Sequence, residues 1–487
     1  MTPAHHSTER RWLVLIVVVV VVAAVGAWVA ARGTTPVGAQ PVPGALVSAP
    51  NAESSAWYCT GQSTASGAAT GTILLTNTTT RAATGSITLV TDAGTSVLTA
   101  VGIPARSQVI PSLPSPTSGS WMSDIVTISG GGVAVSELVH GSTGWSATPC
   151  LSTTSSVWYF PIGTTAAANV LDISLLNPTS TPVVVDIAFV TTSGTIHPIN
   201  YQAIVLNPGQ LQVLDVSSEV QNQGAVATVV SARTGRMVAA ETQTIVGSQA
   251  GLSVLPGLPQ TESDWFVPQG QELSGGNSQL SVFNPGQTKE DVTVQLRLAS
   301  GPLAPLTDQV PPGAMWILAT SSQTRIPPND LYSATITATG GPGVVVGRAV
   351  SAPASATAPQ VGLSNAVDGL STASPTGLWV VPPPGTQSAP VVTGAEPYQL
   401  ALLNTSTGAA RYTVFAVSPS GTKTIASGTV AGGSDALVTR AALSSAGFDQ
   451  IIVRSGAPLA VVEDMAPTGN YGVVAVPGTP LAAPIAL

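Results

Sequence analysis

The stretch Trp158-Tyr159-Phe160-Pro161, followed by Leu175-Leu176-Asn177-Pro178, decides how this chain is read, because the pair recurs four times. The first element also stands as Trp57-Tyr58-Cys59, Trp265-Phe266-Val267-Pro268 and Trp379-Val380-Val381-Pro382. The second stands as Leu74-Leu75-Thr76-Asn77, Leu280-Ser281-Val282-Phe283-Asn284-Pro285 and Leu402-Leu403-Asn404-Thr405. A third closes each unit: Val133-Ala134-Val135-Ser136-Glu137, Met237-Val238-Ala239-Ala240-Glu241, Val344-Val345-Val346-Gly347-Arg348 and Leu459-Ala460-Val461-Val462-Glu463. Three elements in one order at nearly constant offsets are not a chance pattern. Their period of roughly 100–115 residues is too long for a solenoid repeat or a propeller blade and matches a whole domain.

The second unit shows what each domain is made of. Leu171-Asp172-Ile173-Ser174-Leu175 alternates with period two and stops at Asn177-Pro178. A β-branched run over 183–190 ends at Ser193-Gly194, and 204–206 precedes the turn Asn207-Pro208-Gly209. Runs 211–216, 225–231 and 237–245 complete a set of about seven short strands, with no amphipathic helix. The fold class expected is all-β: four tandem immunoglobulin-like β-sandwich repeats after one N-terminal transmembrane helix. Cys59 sits beside Trp57 on the first strand, so the antibody Cys…Trp…Cys signature is absent and the likeness is architectural.

The chain divides accordingly. Residues 1–11 form a polar tail and 12–31 an uncharged, mostly aliphatic run. At 1.5 Å per residue that run spans about 30 Å, the hydrocarbon core of a bilayer. Arg10 and Arg11 precede it and only Arg32 follows, which predicts a cytoplasmic N-terminus and an extracytoplasmic bulk. The alternative is a cleaved signal peptide, though the run exceeds a normal signal core. Residues 32–54 read as a Pro/Ala/Gly-rich linker, and the repeats occupy 55–153, 154–262, 263–376 and 377–487. Charged residues make up only 8% of the chain and the net charge is −8, so no basic patch for nucleic acid exists. The two cysteines, Cys59 and Cys150, bracket the first repeat and are expected to form a disulfide in an oxidising compartment. For a loop of about 90 residues the chain-entropy model gives roughly 4–5 kcal/mol.

The search for chemistry is mostly negative. The sequence lacks a Gly-x-Ser-x-Gly elbow, His-Glu-x-x-His, a phosphate-binding Gly loop and Cys-x-x-Cys. Ser420-Gly421-Thr422-Lys423 matches Ser-x-x-Lys in form but lies where a hairpin tip is expected. His140 and His197 fall in different repeats. Glu137, Glu241 and Glu463 occupy one repeated slot, with Arg348 in the third repeat, and no repeated second carboxylate accompanies them. Asp172 and Asp215 have no counterparts in the other repeats. Dense acidic loops for calcium are missing. No catalytic residue, metal or cofactor is therefore expected. Trp57, Trp158, Trp265 and Trp379 read as packing residues, with a sugar-stacking platform as the alternative. Asn77, Asn177, Asn284 and Asn404 read as structural turn residues. Outside that set, Trp121, Trp145 and Trp316 are candidate ligand-facing aromatics. The closing stretch 474–480 repeats the junction Val254-Leu255-Pro256-Gly257-Leu258-Pro259, with no domain after it. It either folds onto its own repeat or meets the first repeat in a closed ring.

With these motifs in view, the chain resembles actinobacterial membrane-anchored envelope proteins of the DUF5719 type, a family of unknown function. Its repeat pattern is also similar to β-sandwich repeats of bacterial surface proteins related to the sensory rhodopsin transducer fold. The resemblance covers residues 55–487 and implies location and architecture, with no catalytic residues. The expected function is a non-catalytic, membrane-anchored envelope scaffold or protein-interaction module; the alternative is a polysaccharide- or peptidoglycan-binding surface protein. Expected partners are the membrane, envelope proteins or cell-wall polymers.

Overall fold

In the second segment the aliphatic runs become two facing sheets. The strands Gly194–Ile196, Val183–Thr191, Val226–Thr234 and Val157–Phe160 pair in that order, forming what we term the Trp sheet. The strands Leu211–Asp215, Val170–Leu176, Val238–Ile245 and Gly251–Pro256 form the Asn sheet. Alternation in Val183–Thr191 sends Val183, Val185, Ile187 and Phe189 inward, where they join Trp158 and Phe160 from their own sheet and Leu171, Ile173 and Leu175 from the other. Phe189 meets Tyr201 edge-on, with ring centroids 5.3 Å apart.

The structure, a computed structural model, describes residues 44–487 apart from 65–68, 272–275, 328–329, 353–362, 369, 371–373, 375, 382–394, 440–441, 443–449 and 468–473. The expected membrane span at 12–31 and the tail at 1–11 lie outside the described residues. The described chain is all-β, with short 3₁₀ turns between strands.

Each of the other segments repeats the same pairing order. The Trp sheets contain Ser54–Ser63, Asp264–Gln271 and Leu378–Val381 as first strands. The Asn sheets contain Thr70–Asn77, Asn277–Asn284 and Ala395–Asn404 as second strands. In the second, third and fourth segments the first and second strands thus belong to different sheets, whereas in the first segment a parallel contact between Ser63 and Thr70 joins the two halves into one eight-stranded sheet. In an immunoglobulin domain the first strand joins the sheet of the second and the last strand joins the other sheet. Here those edge assignments are exchanged, so the chain enters through one sheet and leaves through the other.

The junction expected at Val254-Leu255-Pro256 is itself the edge strand Gly251–Pro256, which the sequence reading had left outside the strands. After it the chain turns back and Leu258 pairs with Tyr159; Leu151 with Tyr58, Leu370 with Phe266 and Thr479 with Val380 do the same. Gly257 makes that turn possible, since a Cβ there would stand 2.8 Å from Trp158 Cβ.

Both faces of the Asn sheet are covered. In Val170–Leu176, Asp172 and Ser174 are buried as well as the core residues between them. Tyr58, Val90, Trp121 and Ile125 of the first segment join the core of the second, and Thr242 Oγ1 donates to Gly61 O at 2.9 Å. Tyr159, Val190, Ala227 and Val229 of the second join the core of the third, and Ser281 Oγ donates to Pro161 O at 2.6 Å. Phe266 of the third clusters with Leu403 and Ala460 of the fourth. Leu378, Val380, Phe415, Val417 and Ile452 of the fourth join the core of the first, and Gln450 Nε2 donates to Asn77 O at 3.0 Å. The series of contacts is therefore closed, and residues 43–487 form one compact unit. The edge strands Trp145–Pro149, Gly251–Pro256, Leu363–Asp368 and Val474–Pro477 touch in the same closed order.

The C-terminal junction does both things the sequence left open. Thr479 and Pro480 pair with Val380 and Trp379 of their own segment, while Leu481 bridges in parallel to Val47. Val47 N donates to Pro480 O and Ala482 N to Val47 O. Val47 is 1% exposed. The linker expected over 32–54 is corrected at this point: residues 44–48 are docked between the first and fourth segments, and Ser54 already begins a strand. Replacing Val47 with Asp sets an unpaired carboxylate in an apolar seam. That substitution is expected to cost on the order of 2–4 kcal/mol, read as a lower urea midpoint; an unchanged midpoint would show that residues 44–48 do not hold the seam.

Candidate functional site

The four repeated asparagines are fully buried and make one arrangement. Asn177 Nδ2 donates to Thr181 O at 2.8 Å and Leu206 O at 3.0 Å, while its Oδ1 accepts from Thr179 N and Thr179 Oγ1. Asn404 bonds Gly408 O, Val430 O, Ser406 N and Ser406 Oγ in the same way. Asn284 Nδ2 reaches Thr288 O and Val310 O, with Gly286 N on its oxygen. Asn77 serves Arg81 O, Ile103 O and Pro104 O and accepts from Thr79. Each side chain thus ties the end of the second strand to the following turn and to a strand end from the facing sheet. Only a carboxamide offers two donors and an acceptor there.

The repeated tryptophans are core residues. Trp158 Nε1 donates to Met237 O at 2.9 Å and Trp265 Nε1 to Val344 O at 2.8 Å, so the first strand is pinned across the sandwich to the start of the glutamate strand. The candidate ligand-facing aromatics are placed differently from expectation. Trp145 is 3% exposed and packs with Leu74, Leu138, Val474 and Val476, so it presents no face to a polymer. Trp121 and Trp316 are half-buried at the seams, against the cores that join segments one to two and two to three.

The repeated acid slot is interior. Glu137, Glu241 and Glu463 are buried mid-strand, as is Arg348, rather than at strand ends. In the first segment Gln62 Nε2 donates to Glu137 Oε2 at 2.9 Å, and Asp124 completes a buried carboxyl pair. Gly71 makes room for this amide, since a Cβ there would stand 1.9 Å from Gln62 Oε1. Burial pushes Asp124 up to about 7; nearby Gln62 opposes the shift, although neither Asp124 oxygen receives a hydrogen bond of normal geometry. Burial pushes Glu137 up to about 8, opposed by Gln62 and reinforced by Asp124. Sequence reasoning missed Asp124, because it lies on Trp121–Ser129, separated in the sheet from the Glu137 strand by the first two strands, with no repeated counterpart to flag it.

Cys59 and Cys150 form the expected disulfide, joining the first strand to the chain just after the last. Their sulfurs and the Glu137 carboxylate lie within 4.8 Å of one another, but the disulfide leaves no thiolate to ligate a metal. Asp172 and Asp215, unremarkable in sequence, are direct cross-strand partners. Burial and then the charge of Asp215 push Asp172 up to about 7. Asp435 is raised to about 6 by burial, opposed by Ser333 and Arg297 from the third segment. Ser420 lies at the tip joining Ala410–Ser418 to Gly421–Val430, as its hairpin reading required.

One cleft of about 280 Å³ opens at the seam of the second and third segments, lined by Gln243, Gln249, Asn169 and Thr164 on one side and Asn277 and Gln279 on the other.

Residues 129–315 match a protein-family model described as a family of unknown function, DUF5719. The match runs from the end of Trp121–Ser129 into Ala314–Ala319, so it spans the whole second segment and parts of its neighbours. No curated protein matches the chain. Among solved structures, a tetra-tandem repeat from the extending region of a large adhesion protein is similar at 12% identity, covering 88% of this chain and 100% of that one. The TM-score of that match is 0.12.

Two outcomes test this geometry. Asn177→Ala strands several buried backbone groups and is expected to cost roughly 2–4 kcal/mol in urea unfolding, with Asn177→Asp no rescue because the carboxylate cannot donate. The raised carboxyls set a pH dependence. Asp124 and Glu137 keep their protons when folded at pH values where the unfolded chain, near its ordinary pKa of about 4, has lost them. The folded state therefore holds more protons between about pH 4 and pH 8, and stability falls as pH rises through that window. Thermal melts are expected at higher temperature at pH 5 than at pH 8, with Asp124→Asn flattening the difference.

Proposed function

We propose that this chain is a non-catalytic scaffold of the cell envelope, anchored by one membrane span at residues 12–31 with its N-terminus in the cytoplasm. Residues 44–487 then form a rigid body outside the membrane, built from four copies of one immunoglobulin-related sandwich with exchanged edge strands. The observation that carries this reading is the closed series of segment contacts, since it turns four small sandwiches into one body with every repeated side chain spent on packing. The Cys59–Cys150 disulfide supports an oxidising compartment. The family match adds no activity to this reading. Envelope proteins are the partners proposed, meeting the body at outward strands such as Ser96–Ile103, where Leu98 stands exposed.

The test is made on whole cells. Externally added protease is expected to reach residues 44–487 only after the outer envelope layers are opened, and rapid alkylation is expected to trap no free thiol. A photo-crosslinker at Leu98 is expected to capture a discrete envelope protein. Thiols that label in the native chain, protection that persists until the membrane itself is breached, or no crosslinked protein would each count against the reading.

A further inference from the structure

The cleft between the second and third segments has a chemical bias. None of its lining residues carries a charge, and none is aromatic. Its carboxamides are not equivalent. Gln243 is consumed by the fold: its Oε1 accepts from Thr164 N at 2.7 Å and its Nε2 donates to Val170 O at 2.9 Å. Three others make a single side-chain contact each among the described residues and keep hydrogen-bonding capacity to spare, with Asn169 oriented by a backbone N–H so that its amide hydrogens are the free end. Asn169 Oδ1 accepts from Val246 N at 3.1 Å, Gln249 Oε1 from Ser351 Oγ at 3.3 Å and Asn277 Oδ1 from Ser321 Oγ at 2.9 Å. Their NH₂ groups donate to no protein acceptor among the described residues, and the Gln279 carboxamide on the facing wall is likewise uncommitted. Two segments thus aim neutral donors into one space.

A ligand that suits this space must be rich in oxygen acceptors and carry no charge. An anion would find no cation here and would meet a chain of net charge −8. An extended peptide brings as many N–H donors as C=O acceptors, and with the Gln279 oxygen the one wholly uncommitted carboxamide acceptor among the described lining side chains, most of its N–H groups would be left without a partner, which is costly once buried. Sugar hydroxyls rotate to accept from an amide, and ring or acetamido oxygens only accept. Ile162 and Ile245 line the cleft as well and offer an aliphatic surface for the C–H face of a ring. The volume, about 280 Å³, lies at the lower end of the range for small-ligand clefts and suits a mono- or disaccharide unit. We propose that the seam cleft formed by Asn169, Gln249, Asn277 and Gln279 binds a neutral saccharide unit. A scaffold with this cleft holds a glycan at a segment seam rather than on exposed tryptophans.

The test uses the full chain purified in a detergent without a sugar headgroup, titrated calorimetrically with N,N′-diacetylchitobiose, maltose, digalacturonate and a neutral tripeptide. At least one neutral disaccharide is expected to bind. Gln249→Ala combined with Gln279→Ala is expected to weaken that binding by about tenfold or more while leaving the melting temperature unchanged. Gln243→Ala should instead lower the melting temperature, which separates the structural amide from the binding ones. Absence of binding by both neutral disaccharides, binding untouched by the double substitution, or preference for digalacturonate or the tripeptide would overturn the proposal.

Discussion

An apolar sheet face has to be covered, and this chain covers both faces of the central strands of its Asn sheets. A lone sandwich buries one face of each sheet and dresses the other in polar residues. Here much of the second face is small and neutral, as Ser174, Ala240 and Thr242 show, with the buried Asp172 among them, and the preceding segment lies against it. The low charged fraction, 8%, follows from this. Surface that would carry lysine and glutamate in an isolated domain is internal to the body. The same constraint explains why Asp172 and Ser174, the polar positions of the alternating stretch Leu171-Asp172-Ile173-Ser174-Leu175, are buried along with the apolar ones.

Dense burial leaves few places for polar groups, and the chain handles them in two ways. The asparagines are fully satisfied and specify how the turn after each second strand meets the facing sheet. The carboxyls of the first segment are handled by proton uptake rather than by ion pairs. A charged Asp124 beside a charged Glu137 in an apolar interior would cost more than holding a proton near neutrality, so both remain largely neutral in acid and become a burden in alkali. Arg348 in the equivalent slot of the third segment shows that the position tolerates either sign once its surroundings match.

The repeats, the strand content and the roles of tryptophan and asparagine were legible because each is a local pattern seen several times. What covers the second face of a sheet is not written in any strand's own period. Trp145 reads as an exposed ring after Gly-Ser-Thr-Gly, yet it meets Val474 and Val476 of a segment more than three hundred positions away. Asp124 became visible as the partner of Glu137 only when the fold brought Trp121–Ser129 and Val133–His140 face to face around Gln62. The short stretch 44–48 has the composition of a linker, and only the edge offered by Leu481 turns it into packed structure. The donor bias of the seam cleft is less legible still, because it depends on which end of each carboxamide the fold consumes.

The closure of the series follows from the way the segments join. Each contact is head to tail, a Trp sheet of one segment on the Asn sheet of the next, and such contacts either close or leave an uncovered face at each end. Left open, the chain would expose the Trp-sheet face of the fourth segment, with Phe415, Val417 and Ile452, at one end and the Asn-sheet face of the first at the other. Two copies of an open chain would join through them without limit. Covering each end with the other removes that hazard inside a single molecule, as terminal caps do in repeat proteins. The parallel bridge from Val47 to Leu481 places the first and last described stretches on the same seam, so the ends of the body are fastened where the closure is made. The fourth junction completes the seam by its return to Val380 and its reach to Val47.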